Sequence, residues 1–199
     1  MDVVSVSDDL PPYIGIALAD VRLIRTEEEA RAALADLLQA DAIGFDTESK
    51  PTFAKGEVST GPHLVQLATA DVAYLFQTIT PGASAVALVA LKPVLESADI
   101  LKVGFGLGDD VRRLRAKLGI EMRSVLDLST ALRRRGERNP LGARSAVERF
   151  FGLRLQKSKR ITTTNWALPR LSDKQMQYAA DDAHAALRVY RRWREQTPA

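Results

Sequence analysis

The chain has 199 residues, 46% hydrophobic and 27% charged, enough for one soluble domain with a sizeable core and too apolar for disorder. It has no cysteine, which excludes disulfides and thiolate metal sites; any metal must be held by oxygen or by His63 and His184, favouring Mg²⁺ or Mn²⁺ over zinc. Net charge is only +3, yet the 28 Lys and Arg residues are clustered, which permits a polyanionic partner without demanding one.

Residues 1–12, with Asp8, Asp9 and a Pro-Pro pair, read as a loose leader. No run approaches the roughly 18 apolar residues of a membrane span and the start lacks signal-peptide character, so no membrane association and a cytoplasmic (intracellular) location are expected. A short strand is expected around Val21–Ile24, followed by capping-box spacing at Thr26–Glu29 and a helix over Ala30–Leu38. Next comes Ala42-Ile-Gly-Phe-Asp46-Thr-Glu48, a buried strand on which period-2 alternation puts Asp46 and Glu48 on one face. Residues 49–62 form a long polar connection, and His63–Thr69 with Val72–Phe76 reads as an antiparallel hairpin.

Beyond Pro81-Gly82 the pattern becomes helix (Ala85–Glu96), strand (Ile100–Val103), helix (Gly108–Leu118), strand (Ser124–Leu126) and helix (Asp127–Arg134), then a long last helix over Ser172–Arg194 and a frayed tail from Gln196. Strand-helix alternation after a meander predicts an α/β domain with a mixed central sheet flanked by helices.

Two carboxylates side by side repel unless a cation joins them, and a hard divalent ion turns the repulsion into chelation. On that stretch alone a chelating pair and a solvated strand end are equally compatible. Helical projection at about 100° per residue supplies further acids. Asp110 lies on the flank of the apolar arc Leu107, Val111, Leu114 and Leu118, whereas Asp109 points to solvent and complements the helix dipole. In the last helix Tyr178 and Asp182 fall on an inward arc with Ala186, Val189 and Trp193; Asp181 and His184 fall on a polar face, where His184 is expected at the surface. Inward acids plus a tyrosine form an all-oxygen site with room for two divalent ions, suited to phosphodiester hydrolysis. Cysteine and Ser/His/Asp chemistry have no support.

Three stretches, Phe45-Asp46-Thr47-Glu48, Gly104-Phe-Gly-Leu-Gly-Asp-Asp110-Val-Arg-Arg-Leu114 and Tyr178-Ala-Ala-Asp-Asp182-Ala, occur in the order seen in a known group. With Leu64-Val-Gln66-Leu67, Asn165-Trp166, Pro169 and Gln175, the chain resembles the DEDD superfamily of 3′-5′ exonucleases, in its tyrosine-bearing subgroup, most closely the ribonuclease D and Werner-syndrome-type exonuclease domain, over about residues 20–195. The resemblance implies a ribonuclease H-like fold and release of nucleoside 5′-monophosphates from 3′ ends of DNA or RNA. It implies that Asp46, Glu48 and Asp182 hold the water-activating ion, that Asp46 holds a second Mg²⁺ or Mn²⁺ with help from Asp110, and that Tyr178 assists the nucleophile. The chain departs from the family at Ser49, where relatives often carry an aromatic. A single exonuclease domain over 1–199, without the C-terminal helical nucleic-acid-binding domain of ribonuclease D proteins, is expected.

Candidate phosphate contacts are Lys50 and Lys55, Arg133–Arg135 with Arg138, and Lys157 to Arg160; Phe53, Leu67 and Trp166 are candidates to stack on or wedge terminal bases, with a place in the core an equal alternative for Trp166. Two rival readings are a catalytically silent nucleic-acid-binding or scaffold module and an endonuclease of the wider ribonuclease H-like class. Nothing in the sequence specifies an oligomeric state.

Overall fold

The structure is a computed structural model in which residues 10–52, 59–156 and 159–197 are described. Short runs rich in Val, Leu, Ile, Phe and Tyr form the strands β1 (Val21–Ile24), β2 (Ala42–Glu48), β3 (Leu64–Ala68), β4 (Ala73–Gln77), β5 (Leu101–Gly104) and β6 (Val125–Asp127). They make one mixed sheet, ordered β1-β4-β3-β2-β5-β6, in which β3 runs antiparallel to both its neighbours and the other pairings are parallel. Parallel pairing of β2, β5 and β6 brings their C-terminal ends to the same edge of the sheet. At that edge stands Glu48, the last residue of β2.

The helices are α1 (Glu27–Leu37), α2 (Pro81–Glu96), α3 (Gly108–Leu118), α4 (Leu128–Ala131), α5 (Ala143–Phe151), α6 (Lys159–Thr162) and α7 (Asp173–Gln196). Capping boxes start both the first and the last: Thr26 with Glu29 for α1, and Ser172 with Gln175 for α7. One face of the sheet presents Ile43, Phe45, Val65 and Leu67 to the apolar residues of α1, α2 and α3. The other face presents Ala42 and Val103 to α5 and the C-terminal half of α7, and Leu64 and Leu75 to Tyr178 and Ala179.

The approach of α7 to β2 is unusually close at Gly44. A Cβ built there would lie 1.8 Å from the Ala183 carbonyl oxygen, so only a residue without a side chain lets the helix backbone settle on the strand. This contact sets the height of α7 above β2.

Several sequence expectations need correcting. Helix α2 begins at Pro81 rather than Ala85, because Thr80 caps the Ala83 N–H and Pro81 occupies the first helical position. Helix α4 stops at Ala131 instead of reaching Arg134; the chain turns there, with Gly136 at φ 92° and Glu137 accepting the Arg134 N–H. Helices α5 and α6 were not anticipated. Leader residues Pro11 and Pro12 are not loose, since Tyr13 donates to Arg154 O and Arg154 donates to Pro11 O. Among the described residues no helix is long and apolar enough to cross a membrane.

The Gly44→Ala substitution is expected to force α7 off β2 and cost about 3 kcal/mol. Chemical denaturation of the two proteins checks this, with a loss below 0.5 kcal/mol contradicting the packing account.

Candidate metal centre and active site

Asp46 and Glu48 leave the same face of β2, two residues apart, and Asp182 comes down from α7 above them. One carboxylate oxygen from each of the three lies within 4.8 Å of the others. Asp182 and Glu48 are 5% and 9% exposed, while Asp46 is partly open to solvent. Three acids so close, at the mouth of a sheet, form an all-oxygen donor set of the kind that hard divalent cations take, and such an ion offsets their mutual repulsion. The donor chemistry therefore fits Mg²⁺ or Mn²⁺.

Asp110 is not in this group of three. It arrives at the same edge from the first turn of α3 and accepts a hydrogen bond from Thr47 Oγ1 at 2.5 Å. Thr47 faces away from Asp46 and Glu48 by the pleat, so Asp110 reaches the strand end from the opposite side. Burial raises the Asp110 pKa, against the Thr47 hydrogen bond and the Arg113 charge, which lower it. Asp109 is exposed and pairs with Arg112 and Arg113, as the helical projection predicts.

The turn carrying Asp110 is held by a residue that sequence reasoning treated only as a helix start. The Asp127 carboxylate accepts the N–H groups of Gly106 (2.9 Å) and Leu107 (3.0 Å) and both the N–H and hydroxyl of Ser129 (2.9 and 2.6 Å). Burial raises its pKa, yet these donors pull the net value below the ordinary carboxylate range. An Asp-x-Ser spacing directly after a strand is the signal that could have found it.

Tyr178 lies four residues before Asp182 and hence beside it on α7. It is 6% exposed, its hydroxyl is 3.1 Å from Thr162 Oγ1, and its ring packs 6.0 Å from that of Trp166. It also lines a cavity of about 680 Å³ walled by residues 12–17, Ile161, Lys174 and Asp181.

Two of the apolar substrate candidates, Leu67 and Trp166, lie in the core, the placement already open for Trp166. Leu67 is wholly buried on the α1–α2 face, because the alternation that turns Gln66 toward α7 turns its neighbour away. Trp166 is also 0% exposed, packed behind Tyr178 with Leu64 and Leu75, and its Nε1–H donates to Thr162 O. Neither offers a face to a base. Lys50 and Arg160 are exposed, as are Arg133–Arg135 and Arg138, which follow β6 and α4. Phe53, Lys55 and Lys157 lie outside the described residues.

His184 is likewise corrected, from surface residue to buried one, at 6% exposure. Its Nε2–H donates to Ala70 O (3.1 Å), so Nδ1 accepts the Tyr13 hydroxyl (2.9 Å). Burial pushes its pKa down to about 4, keeping the ring neutral. The polar face of α7 is covered over Gln177–Arg188: Gln177 donates to Ile16 O and to Asp181, and Arg188 stacks over Tyr13 and Phe151. Burial, opposed by the Gln177 hydrogen bond, brings the Asp181 pKa to about 6, with the charge of Asp182 also raising it.

Beside Glu48 the wall is polar. His63 donates its backbone N–H to Glu48 O, and its ring accepts the Lys50 N–H at Nδ1 (3.0 Å), leaving Nε2–H to meet Thr60 Oγ1 (3.0 Å).

With this geometry in hand, likeness to known proteins is informative. The sequence pattern of the family described as "3'-5' exonuclease" matches residues 21–197. A "3'-5' exonuclease" of Arabidopsis thaliana is 31% identical over 154 residues, covering 75% of this chain and 51% of the relative. A "Ribonuclease D" of Xanthomonas oryzae is 31% identical over 162 residues, covering 79% of this chain and 42% of the relative. The chain thus spans about half or less of the length of these curated relatives. The crystal structure of the Aedes aegypti Nibbler EXO domain superposes with a TM-score of 0.73 at 26% identity, over 92% of this chain and 91% of that one.

Divalent ions that bind the acid group stabilise the folded state by mass action. At about a hundred times the dissociation constant, Mn²⁺ is expected to add about 2.7 kcal/mol, or about 5–10 °C in Tm for a domain of this size. Asp46→Asn is expected to keep its Tm in chelator and to lose the response to Mn²⁺; an equal Mn²⁺ response in both proteins would contradict the assignment.

Proposed function

The chain belongs to the 3′-5′ exonuclease family, and from that premise we propose that it hydrolyses single-stranded or recessed 3′ ends of DNA or RNA, releasing nucleoside 5′-monophosphates with two divalent ions. The observation that carries this reading is the convergence of Asp46, Glu48 and Asp182 within 4.8 Å at the open edge of the sheet.

In this reading Asp46, Glu48 and Asp182 hold one Mg²⁺ or Mn²⁺, and Asp46, assisted by Asp110, holds the other. The bound ions supply a lowered pKa for the attacking water and a counter-charge for the leaving 3′ oxygen. Thr47 orients Asp110 through their hydrogen bond, and Asp127 fixes the turn from which Asp110 starts. The Tyr178 hydroxyl, kept in place by Thr162 and by the ring packing of Trp166, orients the water for in-line attack at phosphorus. The exposed Lys50 and Arg160, with the arginines after α4, track the phosphates of a single strand. Support for a polynucleotide substrate comes from relatives named ribonuclease D. A silent binding module has no use for inward acids where phosphates must sit.

The test is degradation of 3′-labelled linear and of circular oligonucleotides, as DNA and as RNA, with Mg²⁺, Mn²⁺ or chelator. Metal-dependent release of mononucleotides from linear strands, with circles left intact, is the expected result. Asp46→Asn is expected to lower turnover on the order of 10³-fold and Tyr178→Phe about 10²-fold, both without loss of fold by circular dichroism. Cleavage of circles, or wild-type turnover in Asp46→Asn, would overturn the reading.

A further inference from the structure

Gln66 is 0% exposed, and among the described residues neither its Nε2 nor its Oε1 has a hydrogen-bond partner. Strand register fixes where it sits. Gln66 stands directly opposite Asp46 across the β2–β3 pair, and cross-strand partners share a face. Its own neighbours on that face confirm the direction: Leu64 packs with Tyr178 and Ala179, and Ala68 packs with Ala180 and Ala183. The Gln66 carboxamide therefore lies under the turn of α7 that carries Asp182, beside the strand end that carries Asp46.

For packing alone this is the wrong residue. Its flanks are Leu64, Ala68 and, on β4, Leu75, all 0% exposed, so an apolar side chain of the same length would fit without burying two unsatisfied polar atoms. Each such atom costs about 1–3 kcal/mol. What an amide offers and a methionine does not is a pair of neutral N–H donors beside carboxylates. A lysine or arginine there would neutralise the acids and compete with a cation for them; a neutral donor orients a carboxylate and leaves its charge available. Outer partners of this kind hold metal-binding carboxylates in position.

We propose that Gln66 is a positioning residue for the metal centre, its carboxamide hydrogen-bonding the carboxylates of Asp46 and Asp182 when a divalent ion draws them together. This rests on the metal-site reading given above. The unpaired Nε2 is then a cost in the ion-free protein that ion binding relieves.

The test is Mn²⁺ binding by isothermal titration calorimetry, with no substrate present, on the wild type, Gln66→Met and Asp46→Asn. Gln66→Met is expected to bind Mn²⁺ about 10–100-fold more weakly, while its Tm in chelator equals or exceeds that of the wild type. Mn²⁺ affinity in Gln66→Met within about threefold of wild type, with binding lost in Asp46→Asn, overturns this inference and leaves the metal site standing. Undiminished binding in Asp46→Asn overturns both. If Gln66→Met does not fold, the side-chain amide resonances of Gln66 in the ¹⁵N-labelled wild type decide: they are expected to shift with Mg²⁺ in step with binding, and resonances unmoved at saturation would refute the proposal.

Discussion

The constraint on which this structure depends is like charge confined at the end of a buried strand. Strand β2 is paired with β5 over Ala42–Gly44 and with β3 over Gly44–Glu48, so its last residues are tied to a neighbouring strand and cannot swing apart freely to relieve repulsion. Asp46 and Glu48 are fixed two residues apart on one face, and α7 adds Asp182 to the same few ångströms. A fold that forces three carboxylates together, with one side open to solvent, is a fold that recruits a cation.

The rest of the architecture sets that distance. Gly44 admits the Ala183 carbonyl to the surface of β2, and this approach fixes the level of α7 one residue from Asp182. The capping box at Ser172 and Gln175 fixes where the helix starts, and Thr162 and Trp166 brace Tyr178 from the side. On the other flank, Asp127 ties the Gly106–Leu107 turn to the end of β6, and Thr47 receives Asp110 at the end of β2. The site is thus assembled from the ends of strands and the first turns of helices, whose backbones the sheet has already made rigid.

Much of this was legible in the residues. The β2 alternation, the Thr26–Glu29 capping spacing, the choice of Asp110 over Asp109 as the inward acid and the inward, buried placement of Tyr178 and Asp182 on α7 are consequences of period and projection, and they agree with the structure. What was lost has physical reasons. Helical projection gives the direction of His184 but not what covers it, and residues 10–17 cover it. Leu67 is the register partner of Phe45, and pleat parity assigns both to the face opposite Asp46 and Glu48. Trp166 as a stacking residue and Trp166 as a packing residue have the same sequence, and only its burial among Leu64, Leu75, Tyr178 and Ala179 separates them. Helix α5 is masked in the sequence by its surrounding arginines, although Ala143, Ala146, Val147 and the closing Gly152 have helical spacing.

The claim at the centre is that the end of β2 is one side of a metal site shared with α7. The most direct measurement is anomalous scattering at the manganese edge from crystals grown with Mn²⁺ and a nucleoside 5′-monophosphate. The account predicts a peak bounded by Asp46, Glu48 and Asp182 and a second peak between Asp46 and the Asp110 side. Manganese density elsewhere on the molecule, with the three carboxylates bare, would contradict it.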